Sequence, residues 1–189
     1  MLKFNLMKPK NYLYYVIVIC LFIIICLLAS CYSMYIGVVN APLDEKFIFR
    51  DIVYYSNPDV DKKKQCLDLY IPPDKKNFPI LIFVHGGGWM SGDKKEYKFL
   101  GKFFAFNGIG TAIINYRLSP KVKHPAHIED VASAFAWIYK NARKFGGDPD
   151  RIFLMGHSAG AHLSALLALD KKYLEAHGCL LYTSPSRRD

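Results

Sequence analysis

Hydrophobic and polar positions divide this chain of 189 residues into one long apolar run near the start and, from residue 47, short apolar segments set between polar turns. Residues 12–29 are uncharged and apolar over a length that suits either the middle of an export signal or a bilayer span. Residues 47–55 and 67–71 alternate as strands. Residues 78–84, read as Phe-Pro-Ile-Leu-Ile-Phe-Val, are continuously apolar, as strands buried on both faces of a parallel sheet are, with the strand proper over 80–84. Residues 110–115 and 152–155 are two further apolar runs. Between them, residues 94–106 have the spacing of a helix covering a sheet, and residues 128–145 place Val131, Phe135, Ile138 and Ala142 on one face. The Gly146-Gly147 pair stops that helix, and residues 161–169 read as another. Early strands joined by hairpin-like turns, then strands alternating with helices, predict an α/β fold: a mostly parallel central sheet flanked by helices.

Charge adds little to this picture. The chain carries 25 Lys+Arg against 16 Asp+Glu, but Lys3, Lys8 and Lys10 precede the long apolar run. The rest are scattered as Lys62-Lys63-Lys64, Lys75-Lys76, Lys94-Lys95 and Lys171-Lys172, expected at solvated loop and helix ends. No arginine and aromatic platform accompanies them, so no nucleic-acid partner is expected. Cys20, Cys26 and Cys31 fall in or at the end of the apolar leader. Cys66 and Cys179 are too few for a disulfide framework, and no pair has zinc-ligand spacing, so neither a metal nor a cofactor is expected.

The chemistry concentrates in two glycine-rich runs, each at the end of a predicted strand, where α/β sheets hold their ligands. Gly156-His157-Ser158-Ala159-Gly160 lies between the strand at 152–155 and the helix at 161–169. A serine hydroxyl becomes a useful nucleophile only when held exposed, beside a base and near donors that receive an oxyanion. A sharp strand-to-helix turn supplies the exposure, the flanking glycines avoid collisions, and the small Ala159 lets its N–H face the reacting carbonyl. The second run, His85-Gly86-Gly87-Gly88-Trp89, follows the buried strand. Three consecutive glycines are costly in chain entropy unless the backbone must approach something closely. A phosphate loop would need a Lys-Ser/Thr that is absent, and the spacing is not that of a dinucleotide site. Backbone N–H groups aimed at a tetrahedral intermediate fit both observations.

Together the two runs resemble the α/β-hydrolase superfamily, and more narrowly its His-Gly-Gly-Gly esterases and lipases of the hormone-sensitive-lipase-like and carboxylesterase branch. Cys66-Leu67-Asp68-Leu69-Tyr70-Ile71-Pro72, Asn115-Tyr116-Arg117-Leu118-Ser119-Pro120, His124-Pro125-Ala126 with Asp130, and Gly146-Gly147-Asp148-Pro149-Asp150-Arg151-Ile152 extend the resemblance over residues 47–178. It implies an α/β-hydrolase fold and cleavage of small-molecule carboxylic esters through an acyl-enzyme. Ser158 would be the nucleophile. Gly86, Gly87, Gly88 and Ala159 would form the oxyanion hole, with His85, Gly156, His157 and Gly160 in support and Trp89 either at the acyl pocket or packed behind the loop. Arylformamidases share both runs, so amide cleavage is an alternative, and a non-catalytic tethered binding module is another. The order of such a triad is Ser, then Asp or Glu, then His on later strands. Those strands, the acid and the base are expected to be missing from the stretch between Ser158 and Asp189, and none of the six histidines is assigned as base.

The ends carry separate expectations. Basic residues, an apolar middle and Leu28-Ala29-Ser30-Cys31 make residues 1–31 an export signal. Its last four residues resemble a bacterial lipobox with Cys31 lipidated, which would place the domain at the cell envelope, facing outward. Left uncut, the run would be a membrane anchor. Residues 32–178 would then be the N-terminal part of the hydrolase domain, and residues 179–189 read like translated sequencing-adapter DNA.

Overall fold

A computed structural model of the chain describes residues 9–55 and 59–179, in two units, Met1–Asn40 and Ala41–Asp189. Of the expected adapter-like tail, residues 179–189, only Cys179 is described, and it is buried in the core; residues 180–189 and the first eight residues of the leader lie outside the described residues. Among its described residues the first unit holds one helix, α1 (Pro9–Val39). Within it Val16–Val38, 23 residues, is long and apolar enough to cross a membrane, spanning about 34 Å at 1.5 Å per residue against a hydrocarbon core of about 30 Å. The helix outruns the expected boundary at Cys31. Tyr32, Met34, Tyr35, Ile36 and Val38 keep the sequence apolar, and no proline or charge interrupts it.

The second unit is built on a five-stranded sheet: β1 (Ile48–Val53), β2 (Cys66–Tyr70), β3 (Phe78–Val84), β4 (Gly110–Ile114) and β5 (Gly147–Gly156), in the order β1-β2-β4-β3-β5. β1, at one edge, runs antiparallel to β2, and β2 antiparallel to β4. β3 pairs in parallel with β4 on one side and β5 on the other. The expected parallel centre is therefore β4-β3-β5.

Period-two alternation divides β3 and β4 between two cores. Ile80, Ile82 and Val84 of β3, with Ala112 and Ile114 of β4, pack against α3 (Ala126–Asn141) and α4 (Ala159–Leu169) through Ile128, Val131, Phe135, Leu163 and Leu167. Phe83 and Ile113 face the other way, with Tyr70, toward Ala105 of α2 (Lys98–Phe106). Val131, Phe135 and Ile138, the expected inner face of α3, are at most 2% exposed. Each such side chain is worth roughly 1.5–3 kcal/mol when fully buried. A short α5 (Lys172–Glu175) follows α4 and buries Tyr173 and Leu174.

The element boundaries shift for identifiable reasons. The region 94–106 opens with a 3₁₀ turn, Lys94–Tyr97, before α2 begins. Its first residue reverses an expectation: Lys94 is not solvated but 2% exposed. The helix at 128–145 starts two residues earlier and ends in a 3₁₀ turn, Ala142–Phe145, closed by Gly146 at φ +84°. Only Gly146 acts as the stop. Gly147 already belongs to β5, pairing with Phe78, and a Cβ there would press on Ile80 Cγ1 at 2.9 Å and Phe78 Cε2 at 3.2 Å. Because β3, β4 and β5 are parallel, the loops that leave their carboxyl ends emerge on one side of the sheet. Those loops carry His85 to Asp93, Asn115 to Pro125, and Gly156 to Ser158.

Candidate active site

The turn between β5 and α4 is drawn tight by its glycines. A Cβ on Gly156 would run into the Gly160 backbone, and one on Gly160 into the carbonyl oxygens of Val84 and His85. With neither present, His157 N–H donates to Val84 O at 3.1 Å and Gly160 N–H to His157 O at 2.8 Å. Ser158 is thereby held at φ +52°, ψ −118°, a region that non-glycine residues avoid and that is maintained only where the surroundings over-determine it. The serine is exposed and stands at the start of α4, where Ala159 contributes one of the helix's unspent first-turn N–H donors.

The loop after β3 lies directly against this turn. A Cβ on Gly86 would sit 2.7 Å from His157 Nδ1 and 3.3 Å from Ser158 Cβ, so glycine is what allows the loop to reach the serine. Gly87 (φ +118°) and Gly88 (φ +59°) follow in left-handed backbone. Their turn closes on the Gly87 carbonyl, which accepts from the N–H of Met90 at 3.0 Å and of Ser91 at 2.9 Å and spends neither the Gly87 nor the Gly88 N–H. Space makes different demands at each glycine: a Cβ on Gly87 would enter the Ser91 backbone, whereas one on Gly88 meets nothing within 4 Å.

His85, fully buried, locks the start of the loop. Its Nδ1 lies 2.7 Å from Gly86 O, and since a carbonyl can only accept, Nδ1 carries the proton. Burial holds this ring's pKa below the usual histidine range, so it stays neutral. It stacks on Tyr116 with ring centroids 4.4 Å apart, and the Tyr116 hydroxyl donates to His85 O at 3.0 Å. Burial raises that phenol's pKa to about 12, which keeps it a donor.

Aromatic side chains pack on the residues that flank the serine turn. Trp89, at φ +60° and 37% exposed, meets His162 of α4 edge to face at 5.5 Å. The Tyr97 hydroxyl is 3.0 Å from His157 Nδ1. Ser119 N–H donates to Trp89 O at 2.8 Å, joining the loop after β4 to the glycine loop. His127 is engaged with Ser119 Oγ at 3.2 Å and His177 with Ser133 Oγ at 3.4 Å. Among the described residues no imidazole or carboxylate is hydrogen-bonded to Ser158. The structure thus gathers Ser158, Ala159, Gly86, Gly87, Gly88, His85, His157 and Trp89 in one place. Cys31 belongs to the other unit. Tyr97 and Tyr116 were not singled out for the site from the sequence, because their roles arise only from contacts across the sheet's end.

The glycines can be ranked experimentally. Gly160→Ala is expected to cost about 3 kcal/mol, the upper part of the usual range for overpacking, because backbone carbonyls must move. Gly88→Ala should cost only about 1–2 kcal/mol, for the left-handed backbone alone. Urea denaturation midpoints check the order, and equal losses would contradict it.

Comparisons with known proteins bear on this geometry. The family model BD-FAE matches residues 67–187. The chain is 36% identical over 132 residues to a probable isoprenylcysteine alpha-carbonyl methylesterase of Oryza sativa subsp. japonica, covering 69% of this chain and 31% of that protein. It is 41% identical over 112 residues to esterase LipQ of Mycobacterium tuberculosis, covering 57% and 26%. Among solved structures, an inhibited esterase B from Lactobacillus rhamnosis superposes with a TM-score of 0.61 at 25% identity, over 82% of this chain and 52% of that one. The chain spans about a third of the length of the curated relatives it matches.

Proposed function

We propose that this chain, which belongs to the BD-FAE family of α/β-hydrolase esterases, is the nucleophile-bearing part of a carboxylic-ester hydrolase acting on small-molecule esters. Ser158 Oγ attacks the acyl carbon, and the oxyanion is received by the N–H groups of Gly87, Gly88 and Ala159, with Gly86 bringing the loop into range. The alcohol leaves, and water releases the acyl group from the serine. In a protein of the relatives' length, of which this chain spans about a third, a general base and its orienting acid complete the site. The reading is carried by one observation: Ser158 is held exposed in left-handed backbone with a glycine loop packed against it, close enough that a Cβ on Gly86 would touch Ser158 Cβ. The names of the relatives, methylesterase and esterase, support the same chemistry. Fluorophosphonate labelling of Ser158, with turnover of short acyl p-nitrophenyl esters by the full-length protein, tests it. Absence of both, in folded protein, would refute it.

We also propose that the apolar segment tethers the domain to a membrane of the cell envelope, outward-facing, with lipidation at Cys31. The support is Leu28-Ala29-Ser30-Cys31 behind a basic start, together with a helix long enough to span a bilayer. Cys31→Ser is expected to abolish incorporation of labelled palmitate and to leave the leader attached, which a larger mass reveals. Unchanged incorporation would refute lipidation, and unlabelled, uncut wild-type protein in the membrane fraction would identify an anchor.

A further inference from the structure

We infer that Lys94 is a positioning residue for the oxyanion loop: its buried ammonium, held between carboxylates of two strands, fixes where the glycine loop rejoins the sheet. The inference rests on the esterase reading for its catalytic consequence, though not for its structural one.

Lys94 is 2% exposed and lies two residues after Gly92, the end of the loop that begins at His85. Its Nζ is hydrogen-bonded to Asp68 Oδ1 of β2, itself 1% exposed, and at 2.7 Å to Asp51 Oδ1 of β1. Its backbone N–H donates at 2.6 Å to Oδ1 of the buried Asn115, at the end of β4. Asn115 in turn donates to Asp93 Oδ2 at 3.1 Å and to Lys63 O at 3.1 Å. Side chain and backbone together thus tie the loop's exit to β1, β2 and β4.

Three features indicate that this tie serves the loop. First, a buried ion pair is a weak way to stabilise a core, since apolar residues of similar volume usually do as well or better. Second, β1 is distorted to supply its carboxylate. Asp51 sits at φ +54° within the break in β1–β2 register between Phe49 and Ile52, and its N–H donates to Asp68 Oδ1 at 2.9 Å. Such bulges re-aim a side chain. Third, displacement at Lys94 has a short route to the donors. Gly92 packs so closely on the loop's start that a Cβ there would enter the space of Gly86 O and His85 Nδ1. Gly86 is the residue on which a Cβ would press against the serine turn, and Gly87 and Gly88 follow it.

The test uses Lys94→Met and, because that variant strands a buried carboxylate and can fail to fold, the double variant Lys94→Met with Asp68→Leu, which removes both buried charges and leaves only the exposed Asp51 carboxylate. Two readouts are taken on the full-length protein. In the folded variant, kcat for p-nitrophenyl acetate should fall about 30-fold, approaching the hundredfold cost of deleting one oxyanion donor, with KM within about threefold of wild type. Amides of residues 86–91 should exchange with deuterium faster, while those of α3 keep wild-type protection. A merely structural role would instead lower the melting temperature and loosen the domain evenly. A folded double variant with wild-type kcat and wild-type loop exchange overturns the inference. If the wild-type protein turns over no ester, the esterase reading fails by itself, and loop exchange still decides the role of Lys94.

Discussion

Ser158→Ala is expected to lower kcat/KM for ester hydrolysis by the full-length protein on the order of 10⁶-fold, as loss of an activated serine nucleophile does, and to eliminate fluorophosphonate labelling. Among the described residues, Ser91 Oγ is committed to Gly87 O at 3.1 Å, Ser119 Oγ to Val122 O at 3.0 Å, and Ser164 is buried inside α4. The turn itself should survive, because its tightness comes from Gly156 and Gly160 and from the bonds of His157 and Gly160 to neighbouring carbonyls. Alanine takes the same backbone conformation at similar cost, and the lost hydroxyl is exposed, so stability should change by no more than about 0.5 kcal/mol. Measuring both quantities separates chemistry from folding. Activity within about tenfold of wild type, at unchanged stability, would show that the nucleophile lies elsewhere.

The two glycine runs were legible because their demands are local. Spacing alone fixes which residues flank the serine, and the apolar segments before and after them place both runs at strand ends, where the structure has them. Segment identity was similarly plain for β3 and β4, as continuous apolar runs of strand length, and for α3, whose spacing of about 3.6 is carried by Val131, Phe135 and Ile138. What the sequence concealed depends on long-range pairing. Lys94 reads as half of a surface lysine pair until Asp51 and Asp68 are brought to it from 43 and 26 residues away. Likewise, Tyr116 and Tyr97 are ordinary apolar-segment and helix-face tyrosines until β4 places one beneath His85 and the turn after Lys94 places the other beside His157. The early start of β5 was hidden because Gly147 and Asp148 carry turn signals, and only the parallel partner β3 recruits them into a strand.

Asp130→Ala is expected to be the most destabilising of these substitutions, at about 3–5 kcal/mol. The carboxylate is fully buried in α3 yet carries a full set of donors. Arg117 gives it a backbone N–H at 2.8 Å, Nε at 2.9 and 3.1 Å, and Nη2 at 2.8 Å, and Gln65 gives Nε2 at 2.9 Å. Alanine removes all of these acceptors at once. It leaves a guanidinium only 30% exposed without its counter-ion, and buried amide donors without partners, which costs more than the pair itself contributes. For a domain of this size, about 3–5 kcal/mol corresponds to a fall of roughly 10–15 °C in melting temperature, and the urea midpoint should drop while the m-value holds. Asp130→Asn keeps the shape and one acceptor oxygen but turns an amide toward the guanidinium, so its cost should fall between wild type and alanine. The effect should also reach the site by a defined route. Arg117 begins the loop whose Ser119 N–H holds Trp89 O at 2.8 Å, so freeing Arg117 loosens the tryptophan that follows the oxyanion glycines. Folded Asp130→Asn protein should therefore show faster amide exchange over residues 117–122 and a higher KM, with a loss in kcat far smaller than that of Ser158→Ala. A midpoint shift of less than about 1 kcal/mol for Asp130→Ala would mean that Arg117 is held by solvent and helix packing rather than by this carboxylate.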